Sequence, residues 1–309
     1  MESAALWPAF AEELVARSGG PVGFDTSASL AVALGGDETA RLDRIRRVLE
    51  ARKVAHTMLH ADALRALEPA LSPSILGGLE LPTDMRVHNR TLVSALLGVL
   101  QASRKVRFET GPAPLKSEGG RLVLAGHDVI VAAAGWETAV IKVEENGQLY
   151  SLVNWDVTLD EIDCHAGQML AVRVGPGAPQ RVVRSGHVYL VPRGGQVVIG
   201  ATTEPGRVLD APEPEVIAGL KAEAARLCPG LADAETVESW AGVRPGTPDQ
   251  APFLGETVTP GLLVAAGHYR NGILLAPVTA KILADQILGE GADELAAAFS
   301  TRRVFTATA

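Results

Sequence analysis

One stretch near residue 270 constrains this chain more than any other. Gly261-Leu262-Leu263-Val264-Ala265-Ala266 is a short apolar run bounded by turn residues, the pattern of a buried strand. From Val278 to Leu288, apolar residues recur at helical spacing until Gly289, a natural helix stop. Between the two lies Gly267-His268-Tyr269-Arg270-Asn271-Gly272-Ile273-Leu274-Leu275-Ala276-Pro277. A strand that passes through a polar, glycine-containing turn into a helix presents backbone N–H groups to an anionic or electron-rich ligand. His268 and Arg270 add side-chain donors in the same turn. The pattern alone also fits an ordinary surface loop.

The rest of the chain narrows the choice of partner. Its net charge is −8 and no basic cluster stands out, which argues against nucleic acid, because phosphate binding needs concentrated Lys and Arg. No run approaches the ~20 apolar residues that span a bilayer. The opening Met1-Glu2-Ser3-Ala4-Ala5-Leu6-Trp7 has no basic region followed by an apolar run, so no signal peptide is expected. Cys164 and Cys228 lack metal-like spacing and read as reduced and structural. A cytoplasmic enzyme fits these features, and the 309 residues allow one or two domains.

Taken in order, the pattern predicts a helix from Leu6 to Ala16 opened by Pro8 and ended at Gly19-Gly20, then strand-like sequence from Val22 to Leu34. Asp37 is placed to cap a helix from Glu38 to Arg52 with a wet, charged face. A short helix precedes Pro69, and Gly77 to Leu81 reads as a strand that leaves through the turn Pro82-Thr83-Asp84. Leu92, Val93, Leu96, Leu97 and Leu100 predict a buried stripe on a helix from Asn89 to Ala102. A strand is expected around Val106 to Phe108, and Arg121–Leu124 with Asp128–Ala134 reads as a hairpin-like pair. The segment from Val140 to Ala166 is acidic and reads as a solvated hairpin. From Gly167 to Ala201 short strands come densely, as in an antiparallel or mixed sheet. A helix from Glu213 to Cys228 and a strand from Glu235 to Val243 lead to Arg244.

Three ordered motifs stand out along this path. They are His187-Val188-Tyr189-Leu190-Val191-Pro192-Arg193, Trp240-Ala241-Gly242-Val243-Arg244-Pro245-Gly246-Thr247-Pro248-Asp249, and the Gly267–Pro277 turn. Together they resemble the glycine oxidase and D-amino-acid oxidase family, and are most similar to the thiamine-pathway glycine oxidases. Weaker similarity runs from Leu6 to about Ala134, so the resemblance covers most of the chain.

The resemblance implies an α/β fold: a glutathione-reductase-like FAD domain interleaved with a mixed-sheet (α+β) substrate domain. The expected division is residues 1–82 and 151–236 for the substrate domain, and 83–150 and 237–309 for the FAD domain. It implies an FAD-dependent oxidation of glycine, a small D-amino acid or a secondary amine to an imine and 2-oxo acid, with oxygen reduced to peroxide. Arg244 matches the carboxylate-binding arginine, a role that suits a planar guanidinium fork. Tyr189 matches the active-site tyrosine, and Arg270 a residue touching both substrate and flavin. Gly267, His268, Tyr269, Arg270, Asn271, Gly272, Ile273 and Leu274 match the flavin-contacting loop. Ala134, Gly135 and Trp136 match a position beside the flavin diphosphate. His268 is read as flavin environment rather than a base. The partners implied are a small amino-acid substrate and oxygen, with a homo-oligomer left open and no metal.

The sequence departs from the family at one point. It contains no Gly-x-Gly-x-x-Gly turn between a strand and a helix, the unit that grips a dinucleotide diphosphate. An N-terminally incomplete FAD domain is therefore expected, with weak FAD retention. The alternatives carried forward are a D-amino-acid dehydrogenase, a sarcosine oxidase-like enzyme, and a flavin-free remnant acting as a binding or partner subunit. The flavin domain of a tRNA-modifying enzyme is disfavoured by the acidic charge.

Overall fold

The structure is a computed structural model that describes residues 2–112, 115–290 and 294–303. Its helices are α1 (Glu2–Ser18), α2 (Gly36–Ala51), α3 (Ala61–Leu67), α4 (Asn89–Ala102), α5 (Pro214–Leu227), α6 (Gly272–Leu288) and α7 (Glu294–Phe299). A nine-stranded mixed sheet runs Glu204–Pro205, Asp163–Arg173, Gln196–Gly200, Tyr189–Arg193, Val182–Arg184, Ser29–Ala33, Gly77–Leu81, Thr57–His60, and Thr236–Gly246 also pairs with Asp163–Arg173. All its pairings are antiparallel except that of Val182–Arg184 with Ser29–Ala33.

The alternation of side chains along these strands decides what each face does. Leu170, Val172, Val183, Leu190, Val197 and Ile199 point to one face, where they are buried with Leu220, Ala224 and Leu227 of α5 and Leu64 of α3. Burying each such leucine contributes roughly 2 kcal/mol. Residues of the opposite parity, among them Gly167, Met169, Val182, Arg184, Tyr189 and Val191, are left to the other face. That face carries the site described below.

A second core lies around a three-stranded sheet, Phe253–Glu256, Leu262–Ala266 and Ile130–Ala132, the last two running parallel. Phe253, Val264, Leu122, Val143, Leu152 and Leu159 are buried in it. The acidic segment thus divides. Lys142–Glu145 and Gln148–Ser151 form a hairpin that is largely exposed but pairs with Leu115–Glu118 and turns Val143 into this core, which Leu152 and Leu159 in the following short helical turns also join.

Several elements differ from their sequence reading. Pro8 lies inside α1 rather than at its start, and Gly19, at φ +69°, ends the helix. Asp37 sits in the first turn of α2 without capping it; Gly35 is the cap residue, and the carboxylate that turns back is Glu38, accepting from the Leu34 N–H at 2.6 Å. Arg121–Val123 pairs with Leu115–Glu118, while Ile130–Ala132 pairs with Leu262–Ala266, so the expected hairpin of 121–124 with 128–134 is absent. A period-2 pattern marks a strand without naming its neighbour. Residues Val106 to Phe108 form no strand, and Val106 and Phe108 are exposed. On α4 only Leu92 of the expected stripe is buried; Val93, Leu97 and Leu100 are exposed among the described residues.

Two elements lie across the expected domain division. Thr236–Gly246 runs in the large sheet beside Asp163–Arg173, and α1 packs on α4 and α6. Helix α6 begins at Gly272, well before Val278, and runs through Pro277. Pro277 has no N–H to give the Ile273 carbonyl, so this part of the helix is one bond short. Ser3 of α1 bridges the gap: its hydroxyl donates to the Leu274 carbonyl at 2.6 Å and accepts from the Val278 N–H at 3.4 Å. The Trp7 indole N–H donates to the same carbonyl at 3.0 Å.

Candidate active site

The open face of the large sheet carries a cavity of about 350 Å³ lined by residues from six separate segments. Tyr189, Arg244 and Arg270, singled out from sequence motifs, all line it. Met85, Val182 and Val191 supply apolar wall, and Ser27, Ser29, Asp84, Arg86 and Arg184 supply polar wall.

Arg244 is placed by strand register. It stands opposite His165, with Val243 opposite Ala166 and Gly242 opposite Gly167. Residues opposite one another share a face, so Arg244 and Gly167 lie diagonally on the cavity side. The guanidinium leans over Gly167, where a Cβ would come within 2.7 Å of its central carbon. One terminal nitrogen donates to the carbonyl oxygens of Thr202 at 3.2 Å and Ala166 at 3.5 Å. Among the described residues the rest of the fork donates to nothing and remains open to a carboxylate.

Tyr189 is held in the same manner. It stands opposite Gly200 on one side and Arg184 on the other. A Cβ at Gly200 would come within 2.6 Å of the Tyr189 ring. The hydroxyl contacts the Met169 sulfur at 3.7 Å. Burial raises the phenol pKa, and the Arg244 and Arg270 guanidinium groups oppose that rise. The tyrosine is therefore a neutral hydroxyl donor at ordinary pH, flanked by two cations.

The loop from Gly267 to Leu274 follows the strand Leu262–Ala266 and opens α6. Gly267 has φ +75°, and a Cβ there would come within 2.6 Å of the Thr247 methyl. Tyr269, at φ +50°, donates its N–H to the Pro245 carbonyl at 2.6 Å. Its ring meets His165 edge-on at 4.9 Å between centroids. The loop is thereby tied to the strand end that carries Arg244. His268 turns into α6, its Nε2 3.0 Å from the Thr279 hydroxyl, and burial lowers its pKa. It is a neutral structural imidazole outside the cavity. Asn271 is the cap residue of α6, Gly272 opens the helix, and Ile273 and Leu274 are exposed.

Ala134, Gly135 and Trp136 do not line this cavity. Ala134 caps a short helical turn, Gly135–Val140, that follows the strand Ile130–Ala132. Because that strand runs parallel to Leu262–Ala266, both lead into loops at the same edge. Gly135, at φ +63°, has open space where a Cβ would stand. The structure thus gathers the motif residues into the cavity around Tyr189 and a sheet edge beside it. Sequence reasoning missed Ser29, Asp84, Met85, Arg86, Arg184, Gly167 and Gly200. The turn at Pro82-Thr83-Asp84 and the strand start Gly167-Gln168-Met169-Leu170 gave the signals there were, without assigning either to the site. Among the described residues there is no cluster of metal-ligating side chains, and no helix is long and apolar enough to cross a membrane.

Comparison with known proteins bears on this geometry. The family model for FAD dependent oxidoreductases matches residues 1–286. The chain is 36% identical over 262 residues to the bifunctional protein ThiO/ThiG of Synechocystis sp., covering 81% of this chain and 38% of that protein. It is 31% identical over 299 residues to a glycine oxidase of Geobacillus kaustophilus, covering 93% of this chain and 76% of the relative. Among solved structures, glycine oxidase from Bacillus cereus superposes with a TM-score of 0.83 at 27% identity, covering 96% of this chain and 81% of that one. The structure of the Geobacillus kaustophilus glycine oxidase gives a TM-score of 0.82 at 30% identity, covering 97% and 81%. The chain spans well under half the length of the bifunctional relatives it matches, at 37–38%. With a family match that spans residues 1–286 of its 309, the chain belongs to the FAD dependent oxidoreductase family.

Proposed function

We propose that this protein takes part in the FAD-dependent oxidation of glycine, a small D-amino acid or a secondary amine, as the substrate half of a glycine oxidase-type site. The observation that carries the reading is the convergence of Tyr189, Arg244 and Arg270 on one cavity. The names of its relatives, glycine oxidase and ThiO/ThiG, support a role in supplying the thiazole of thiamine. A cytoplasmic location is part of this proposal, and the free Cys164 and Cys228 are in keeping with a reducing compartment.

The residues present fit a flavin ring. The Gly267–Leu274 loop offers backbone N–H groups at a helix start and the exposed apolar side chains of Ile273 and Leu274, and Gly135 leaves open space at the adjoining edge. When bound, FAD supplies the hydride acceptor, and that chemistry belongs to the cofactor. The protein's own part is positioning. Arg244 receives the substrate carboxylate in its open fork. The Tyr189 hydroxyl donates to the same carboxylate and its ring bounds the cavity. Arg270 adds positive charge on the loop side. Met85, Val182 and Val191 exclude water from the Cα–H.

Peroxide formation by the chain supplied with excess FAD tests this, with glycine, sarcosine and D-alanine as substrates, alongside acetate binding by calorimetry. Amine-dependent peroxide together with acetate binding that requires Arg244 is the expected result. Failure of acetate to bind the folded chain would overturn the reading.

A further inference from the structure

Four arginines line the cavity, Arg86, Arg184, Arg244 and Arg270, against one carboxylate, Asp84. Arg86 is neutralised from outside by Asp25, which accepts from it at 2.6 and 2.9 Å, and Nη1 of Arg86 donates to the Pro192 carbonyl at 2.9 Å. Asp84 neutralises Arg184. Arg244 and Arg270 have no carboxylate partner among the described residues. A substrate with a single carboxylate therefore leaves the cavity as a whole with surplus positive charge, which favours a second anionic group anywhere along its wall.

Arg184 stands directly opposite Tyr189, on the same face of the sheet. One nitrogen, Nη2, donates to the Ser29 hydroxyl at 2.9 Å and forms the ion pair with Asp84, while Ser29 donates to the same carboxylate. Ser29 is buried, so the guanidinium is held by a closed triangle rather than free to swing. Its side chain keeps 44% exposure, and Nε and Nη1 have no acceptor among the described residues. A fixed planar fork with unused donors, in a cavity with uncompensated positive charge, suits a carboxylate.

We propose that Arg184 is a specificity-determining residue that receives a second carboxylate of the substrate, so that the site prefers amino-dicarboxylates to plain glycine. This rests on the amine-oxidising reading given above, in which Arg244 takes the first carboxylate. The competing view is that Arg184 only clamps the turn at Asp84 to the strand at Ser29.

The two are separated by calorimetric binding of acetate, malonate and succinate to the full 309-residue chain. Wild type is expected to bind a dicarboxylate at least about ten-fold more tightly than acetate, the worth of one charge-assisted hydrogen bond. Arg184→Met should remove that preference, read as the ratio of dicarboxylate to acetate affinity in the same variant, because the Asp84 carboxylate left unpaired weakens both anions. Arg184→Lys, which keeps the charge and tests the case where Arg184→Met folds poorly, should restore part of it. Loss of acetate and dicarboxylate binding together in both variants would show a clamp and overturn the proposal. So would a wild-type chain that binds acetate with no dicarboxylate preference, a result that leaves the amine-oxidising reading standing. A folded wild type that binds neither class sinks both.

Discussion

The guanidinium of Arg244 lies over the bare Cα of Gly167, one strand away and two residues off its direct partner His165. The cation at the centre of the site is therefore shaped as much by a missing side chain as by its own two carbonyl contacts. Removing the cation has the plainest expected outcome. Arg244→Ala should lose about 2–5 kcal/mol of carboxylate binding. In a flavin-loaded form kcat/KM should fall roughly 30-fold or more. Arg244→Lys keeps the charge and loses the fork, so it should recover only part. Equal losses for amines with and without a carboxylate would contradict the assignment.

Gly167→Ala gives an indirect test. The new Cβ would force the guanidinium aside, so acetate affinity should drop about ten-fold. The cross-strand neighbour Gly242 has open space for a Cβ. Gly242→Ala should therefore leave affinity unchanged and slightly favour the strand. The comparison is read by calorimetry with melting temperature as control. Equal effects at both positions would show that Gly167 is not a cradle.

Burial of His268 holds its imidazole below the usual 6.5. The unfolded chain then binds the proton more readily than the folded one. The stabilisation is complete above about pH 6.5 and is lost as pH falls toward the folded value. Partly exposed His88, lowered by partial desolvation and by Arg193, acts in the same direction. Melting temperature should thus decline between about pH 7 and 5, above the range where carboxylates titrate. His268→Gln, which can still meet Thr279, should flatten part of that slope. An unchanged slope would place His268 in contact with solvent.

The fourth prediction concerns the cofactor. The 309 residues contain no Gly-x-Gly-x-x-Gly turn, the unit that grips a dinucleotide diphosphate. FAD should therefore bind this chain weakly and separate from it on desalting. Absorbance in the flavin bands after gel filtration decides the matter: stoichiometric yellow protein would refute it.

Much of this site was legible because its chemistry sits in dense local motifs. Tyr189 is embedded in His187–Arg193 and Arg244 in Trp240–Asp249, so each could be matched without knowing its neighbours. Gly167, Gly200 and Arg184 were not legible, because their meaning lies in register. Gly200 matters only because it stands opposite Tyr189, and Arg184 only because Ser29 and Asp84 close on it. Strand existence could be read at Gly77–Leu81, which the structure reproduces at both ends, since its apolar run is bounded by turns. Partner choice could not, as the misread pair at 121–134 shows. The stripe on α4 failed for a further reason: periodicity reports a face that is apolar, and Val93 and Leu97 are apolar yet uncovered among the described residues.

The bridge that Ser3 and Trp7 make to the Leu274 carbonyl joins positions 271 and 267 residues apart. Closing a loop of that length is a late event on any folding route, since nearer contacts cost less chain entropy and form first. The first turn of α6, with its interrupted Pro277 register, can only settle once α1 has docked. The loop from Gly267 to Leu274 should therefore be among the last parts of the chain to acquire its native geometry, and among the first to open when the fold is strained.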